Sequence, residues 1–405
     1  MSTPPLRGRR ILLVDCDAYF VQVARLEDPD GAGKVELLLV GGRPDARGVV
    51  TSASYACRVF GVRSGMPMAQ ALRLCPKAER VPVPRAACSR KHREIRAVLD
   101  RFAPVVCPAS IDEFYLDLSG TEALYRHASL ADVAERIRSA VRAETDIDVS
   151  VGGGTSRLVA KLAVRRAKPA GVHVVPPGEE AAFVAELPLA ALPGVGPKLQ
   201  ERLRRLGMVS VADALRHDRK ALCDWLGEST GEWLHDRIHG VDATPVEPPG
   251  QAKSVSREET FPKDVNDDAV LDAELLRLAM RAAADLREDG LRARTVTVKL
   301  RDGDFTTRQA SRTLPRPVET DRAVYRLARE LLVRLRAERR VGARLLGVGL
   351  SQLTPGDGPA QLALFDDPAA SSLETERDRA LARALDAVRA KFGDGSILPG
   401  KIVGS

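Results

Sequence analysis

Apolar residues in this chain recur with two periods, and the alternation between them predicts the elements. The run Ile11-Leu12-Leu13-Val14-Asp15-Cys16-Asp17-Ala18-Tyr19-Phe20 reads as a strand broken by acids, with a helix starting over 20–26. A second acidic strand reads over 111–118, in Ala109-Ser110-Ile111-Asp112-Glu113-Phe114-Tyr115-Leu116-Asp117-Leu118. Shorter strand patterns occupy 35–40, 48–53, 149–152 and 171–175. Helical spacing marks 54–60, 68–74, 85–102, 130–144 and 158–166. From about residue 187 the chain is helical, and 240–253 is rich in Pro and Gly, the composition of a linker. Strands at 255–261, 295–300, 305–314 and 345–353 then alternate with helices at 267–289 and 320–338. A tail follows, with a helix at 373–392. Sheets packed against helices in successive regions make this an α+β multidomain chain.

The length of 405 residues exceeds what one core usually holds, so two to four domains are expected. A hydrophobic share of 44% and a charged share of 29% are those of a globular protein. No uncharged apolar run is long enough for a membrane span, and the Arg-bearing start lacks a secretory signal's apolar core. Six scattered cysteines without a CxxC pair read as reduced thiols in a cytosolic protein. Net charge is +7. Residues 287–344 alone carry 16 Lys+Arg against 8 Asp+Glu, a surplus of 16 − 8 = 8. Such a field attracts a polyanion, though a solvated Arg-rich face has the same composition.

Burying a carboxylate in a strand is expensive without a compensating charge. Two strands that both carry acids therefore point to one shared site, with Asp15, Asp112 and Glu113 as hard oxygen donors suited to Mg²⁺. Strand-end acids paired with arginine remain the alternative. Tyr55 and Arg58 lie three apart on a helix and share a face able to hold a phosphate; an Arg simply stacked on Tyr is the other reading. Gly152-Gly153-Gly154 between strand and helix offers backbone N–H groups to an anion, but lacks the Gly-Lys-Ser/Thr ending of a phosphate loop. Lys168 lies at the far end of that helix. The turn Pro193-Gly194-Val195-Gly196-Pro197-Lys198 suits a non-specific grip on DNA phosphate, or a plain helical hairpin.

Six runs in order, VDCDAYF, SYACRVFGVRSGMP, SIDEFYLDLSG, VGGGTSRLVAKLAVRRAKPAG, LPGVGPKLQERLRRLG and KSVSREETFP, resemble those of the Y-family, or lesion-bypass, DNA polymerases of the polymerase IV type. The resemblance implies a right-hand polymerase. The palm would be 10–25 and 85–180, the fingers 26–84 and the helix-hairpin-helix thumb 181–245. A linker at 246–252, a little finger at 253–353 and a tail at 354–405 would follow. It implies two Mg²⁺ ions held by Asp15, Asp112, Glu113 and the Cys16 carbonyl, and a triphosphate held by Tyr55, Arg58, Lys168 and Ser52. Phe20 would be the steric gate under the sugar, and Val49 would lie near the nascent pair. Gly194, Gly196 and Lys198 would contact DNA.

The tail peptide Gln361-Leu362-Ala363-Leu364-Phe365 resembles a sliding-clamp motif, with Gln361, Leu364 and Phe365 as its anchors. The expected partners are primer-template DNA, dNTP and the clamp, for a monomer in the bacterial cytoplasm, associated with the nucleoid, without proofreading. A catalytically weak or inactive scaffold binding DNA and clamp is the rival reading, as is a cyclase-like enzyme sharing the two-metal palm. Departures from the family pattern are Ser156-Arg157 where Asn-Lys is usual, Val50-Thr51-Ser52 where Val-Ala-Thr is commoner, and the unusually flexible triple glycine.

Overall fold

A computed structural model describes residues 8–248, 250–356, 373–393, 396, 397, 399 and 400. The clamp-like peptide 361–365 lies outside them. The described chain forms two units, one running to Arg43 and from Gly48 to Gly250, the other made of Pro44–Arg47 and the part from Gln251 onward.

The first unit contains β1 (Ile11–Cys16), α1 (Tyr19–Glu27), β2 (Leu38–Gly41), β3 (Val50–Ala53), α2 (Tyr55–Val59), α3 (Met68–Leu74), β4 (Glu79–Val81), α4 (Arg85–Leu99), β5 (Val105–Pro108) and β6 (Glu113–Asp117). It continues with α5 (Leu130–Thr145), β7 (Val149–Gly154), α6 (Arg157–Ala167), β8 (Val172–Val174), α7 (Glu180–Ala185), α8 (Pro197–Arg205), α9 (Val211–Ala214), α10 (Arg219–Leu226) and α11 (Glu228–Ile238). The main sheet has the order β5-β6-β1-β7-β8, with β1 antiparallel to both neighbours. All six residues of β1 are buried, as a central strand covered on both faces requires. One face packs on α4 and α5 through Leu12, Val14, Ile95, Leu99, Phe114, Leu116, Ile137 and Val141. The other carries Ile11, Leu13 and Tyr115 against Ala160 and Val164 of α6. A small sheet β3-β2-β4 has its own core with Cys57, Met68 and Ala71. The helices from α7 to α11 pack with α6 around Leu203, Val211, Leu222 and Leu234.

Three expectations are corrected here. The triple glycine is not a flexible loop: β7 includes Gly152, Gly153 and Gly154, all buried, and α6 lies so close that a Cβ on Gly152 would sit 2.2 Å from the Ala160 carbonyl oxygen. Asp112 precedes its strand rather than standing in it, because the N–H of Ala109 returns to the Glu113 carbonyl (2.8 Å) and closes a tight β5–β6 turn. The first half of the expected linker is anchored. Asp242 is buried, accepts the Leu158 N–H (3.0 Å) and pairs with Arg237 (2.9 Å), while Val246 packs on the main sheet. Pro and Gly content cannot signal such tertiary anchors.

The second unit has β9 (Ser254–Val265), α12 (Asp268–Glu288), β10 (Leu291–Asp302), β11 (Thr307–Val318), α13 (Asp321–Glu338), β12 (Ala343–Pro355) and α14 (Glu376–Phe392). Its antiparallel sheet runs β11-β10-β12-β9. Val296, Val298 and Leu300 alternate inward onto α12 and α13, whereas Thr297 and Lys299 alternate outward. The strand expected from 305 starts at Thr307, because Phe305 turns with φ +68°. Part of the basic surplus is structural: Arg287 is buried between Asp321 (2.9 Å) and Asp386 (2.6 Å), and Arg308 (3.0 Å) and Arg339 (3.0 Å) neutralise the buried Asp302. Among the described residues no helix is long and apolar enough to cross a membrane.

Candidate active site

The site forms where β1 ends between β6 and β7. Asp15 stands directly opposite Glu113 in the β1–β6 register and opposite Ser150 in the β1–β7 register. The sequence therefore brings two carboxylates to one place by pairing rather than by proximity along the chain. Two lysines from α6 and its C-terminal end answer them. Lys168 Nζ is 2.6 Å from Asp15 Oδ1, while Lys161 donates to Glu113 Oε1 and lies 4.0 Å from Asp15 Oδ2. Lys161 is a site residue that the motifs did not single out. Its helical position seven before Lys168 could have shown that both ammonium groups reach the same face.

Burial pushes the Asp15 carboxyl up to about 6; the Lys168 ammonium pulls the other way, and the neighbouring Glu113 charge adds to the rise. The charged form is thus under-compensated even with a lysine in contact. Asp112 lies beside this pair through its backbone, its carbonyl accepting the Cys16 N–H (2.9 Å). Its carboxylate takes the Ser110 hydroxyl instead. As the side chains stand, no three acid, His or Cys groups among the described residues are gathered as a cation cage. The donor set nonetheless fits a divalent cation: two opposed carboxylates with hard oxygens, lysines supplying part of the positive charge they need, and Asp112 held near them by its backbone.

The nucleotide-side candidates surround the next acid. Asp17 is buried and accepts from the Tyr55 hydroxyl (2.8 Å), the Ser150 hydroxyl (2.7 Å) and the Ala170 N–H (2.7 Å). Burial, then the bond to Asp17, holds the Tyr55 phenol well above its ordinary value, so it remains a donor at neutral pH. The Arg58 guanidinium lies over the Tyr55 ring, 4.7 Å from its centre, and donates to the Ala53 carbonyl (3.1 Å). Ser52 is buried on β3, and Val49 stands exposed at the edge of that sheet. Sequence reasoning missed Asp17. Its signal was present, two residues past Asp15 in the same acid-broken strand.

Phe20 is the second residue of α1. Its ring meets Tyr19 edge-on at 5.4 Å and is half-buried against clusters that include Cys16 on one side and Val21 on the other. The departure at Ser156-Arg157 is accommodated: Ser156 Oγ caps α6 by accepting the Val159 N–H (3.2 Å), and Arg157 stacks 4.3 Å from the Tyr115 ring centre. Further along, Gly194 adopts φ +100° with the Trp233 ring 2.5 Å from where a Cβ would be. Gly196 caps α8 with no side-chain bond, which leaves the helix start open with Lys198 exposed beside it.

Comparison with known proteins agrees in sequence and in fold. Residues 14–165 match the impB/mucB/samB family, 252–364 its C-terminal domain, and 177–208 the IMS family HHH motif. A DNA polymerase IV of Dehalococcoides mccartyi strain CBDB1 is 37% identical over 393 residues, 97% of each chain. A solved Y-family DNA polymerase chimera of Dbh and Dpo4 superposes with TM-score 0.76 at 25% identity, covering 85% of this chain and 99% of its own. An insertion ternary complex of Dbh DNA polymerase gives 0.60 at 26% identity, with coverage of 85% and 99%. Matched nearly end to end in sequence and over most of its fold, the chain belongs to the impB/mucB/samB family and, within it, to the Y-family DNA polymerases of the polymerase IV type.

Proposed function

We propose that this DNA-directed DNA polymerase carries out translesion synthesis, adding nucleotides from dNTPs to a primer 3′-hydroxyl opposite intact and damaged templates. The observation that carries the reading is the Asp15–Glu113 pair with Lys161 and Lys168 on it, at the mouth of a sheet whose next residues reach Tyr55 and Phe20. Two Mg²⁺ ions held by Asp15, Asp112, Glu113 and the Cys16 carbonyl would supply the neutralising charge on the phosphoryl oxygens and lower the pKa of the attacking hydroxyl.

The chain's own groups do the rest. Arg58 presents its fork of donors to the triphosphate, with Tyr55 and Lys168 adding an O–H and an ammonium, and Ser52 lies on the strand behind them. Phe20 fills the space where a 2′-hydroxyl would project. The Phe20→Leu enzyme is expected to incorporate ribonucleotides about 10–100-fold better relative to deoxynucleotides. Single-nucleotide insertion kinetics with dATP and ATP measure this, and an unchanged ratio would show that the sugar is policed elsewhere.

In this reading the main sheet with α4 to α6 is the palm, the β3-β2-β4 sheet with α2 and α3 the fingers, and the helices from α7 to α11 the thumb. Residues 253–353 of the second unit, β9 to β12 with α12 and α13, are the little finger, and α14 belongs to the tail. The outward face of its sheet is rich in hydroxyls, with Thr295 bonded to Thr313 (2.9 Å) and Thr297 to Ser311 (2.9 Å), and carries Lys299 and Arg301, groups that suit phosphate contacts. Fingers this small leave the templating base loosely covered, which supports tolerance of damage and low fidelity.

Clamp docking through Gln361, Leu364 and Phe365 is part of the proposal. Deleting 361–365 is expected to remove clamp-stimulated synthesis while basal extension persists. Undiminished stimulation would place the docking elsewhere. Extension of a primed template by the wild-type enzyme, set against the Asp112→Ala enzyme, tests the whole reading.

A further inference from the structure

Asp17 has three engaged partners and no role in the chemistry above. Its Oδ1 accepts from Tyr55 (2.8 Å), and its Oδ2 accepts from both Ser150 (2.7 Å) and the Ala170 N–H (2.7 Å), while Lys168 Nζ stands 3.8 Å from Oδ1. Both oxygens are therefore committed to protein donors, which separates Asp17 from Asp15 as a cation ligand. The carboxylate is itself fixed by its backbone. The Asp17 N–H donates to the Asp148 carbonyl (3.0 Å), and Gln22 Nε2 donates to the carbonyls of Asp17 (2.5 Å) and Asp148 (2.9 Å). Immediately after it the chain turns at Ala18 with φ +44°, in a region that non-glycine residues rarely occupy.

The partners come from three separate segments. Tyr55 begins α2, the helix that also carries Arg58; Ser150 is on β7; and Ala170 ends the stretch that begins at Lys168. The geometry points to Asp17 as a positioning residue for triphosphate binding: one buried carboxylate holds the Lys168–Ala170 stretch in register with the ends of β1 and β7 and, before the nucleotide arrives, the Tyr55–Arg58 helix as well. The inference rests on the nucleotide-binding role proposed above for Tyr55, Arg58 and Lys168. Tyr55 has one phenolic proton, which it gives to Asp17 here, so a phosphate oxygen that takes this proton must displace that bond. Through the exchange Asp17 keeps Ser150 and Ala170, and the stretch that bears Lys168 does not loosen.

Asp17→Ala removes both acceptor oxygens and leaves the Tyr55 and Ser150 hydroxyls and the Ala170 N–H without their shared acceptor. The affinity of the primer-template complex for a fluorescent dATP analogue, measured with Ca²⁺ so that no turnover occurs, is expected to fall about tenfold. In insertion kinetics with Mg²⁺, KM for dATP is expected to rise by a similar factor, with kcat changed less than about threefold. Ser150→Ala removes one of the bonds to the Asp17 carboxylate without touching a nucleotide-binding residue and serves if the Asp17 variant folds poorly. The two together are expected to cost less than the product of the single effects, because they break one shared interaction. Nucleotide affinity within twofold of wild type for either variant would overturn the assignment. So would unchanged affinity with a lowered melting temperature and a lowered kcat, the signature of a purely structural role. Because binding is measured apart from extension, the two readings fail separately: wild-type protein that cannot extend a primer overturns the polymerase reading, and equal nucleotide affinities overturn this one.

Discussion

Asp112→Ala is expected to lower primer extension by about 10³-fold or more while leaving the protein folded. The two halves of that outcome come from different atoms. The structural work of residue 112 is done by its carbonyl, which accepts the Cys16 N–H (2.9 Å) and survives the substitution. Its carboxylate accepts only from the nearby Ser110 hydroxyl, at a half-exposed position, so removing it costs about 0.5 kcal/mol or less. A carboxylate that helps hold catalytic cations is worth several kcal/mol in the transition state, hence the size of the kinetic loss. Single-turnover insertion and a thermal melt of the same preparation check both. Extension within tenfold of wild type would remove Asp112 from the proposed cation set and leave Asp15 and Glu113 as an ordinary lysine-paired couple.

The second large effect is on stability. A Cβ at position 152 would lie 2.2 Å from the Ala160 carbonyl oxygen, 2.3 Å from the Val164 nitrogen and 2.7 Å from the Val164 Cα. All three are backbone atoms of α6, so no rotamer change relieves the clash. β7 cannot retreat, because it pairs with β1 on one side and β8 on the other. Gly152→Ala is therefore expected to cost about 3 kcal/mol or more, a fall in melting temperature of roughly 6–12 °C, or to leave the protein insoluble. Gly196→Ala is the matched control: φ is −79° and no neighbour lies within 4 Å of the new Cβ, so its melt should stay within a degree or two of wild type. Equal melts for the two would show that α6 does not press directly on the strand. The packing also has a functional consequence. Close approach of α6 to the sheet is what places Lys161 and Lys168 within reach of Asp15.

Legibility differed with the range of the interactions. Apolar periodicity located the strand at β1 and the long helices α4, α5, α12 and α13 within a few residues, because each reports its own buried face. Short β4 and β5 escaped, since three or four residues in Pro-containing surroundings carry no measurable period. The three carboxylates were put forward by an energetic argument, the cost of acids in strands, which needs no coordinates; it applies to Asp15 and Glu113, whereas Asp112 stands just before its strand.

The sequence alone determined the types of the principal elements and, through six ordered motifs, the family, and it singled out Asp15, Asp112 and Glu113 as candidate oxygen donors. Tertiary structure alone decided that Asp15 faces Glu113, that Lys161 and Asp17 belong to the same neighbourhood, that the glycines of β7 are a packing surface, and that part of the arginine surplus is spent on buried ion pairs. The reason is one of distance. Periodicity and acid placement are local consequences of burial, but strand register, helix-on-sheet spacing and the partner of each charge are set by residues far apart in the chain, and they come into being only when the sheet closes.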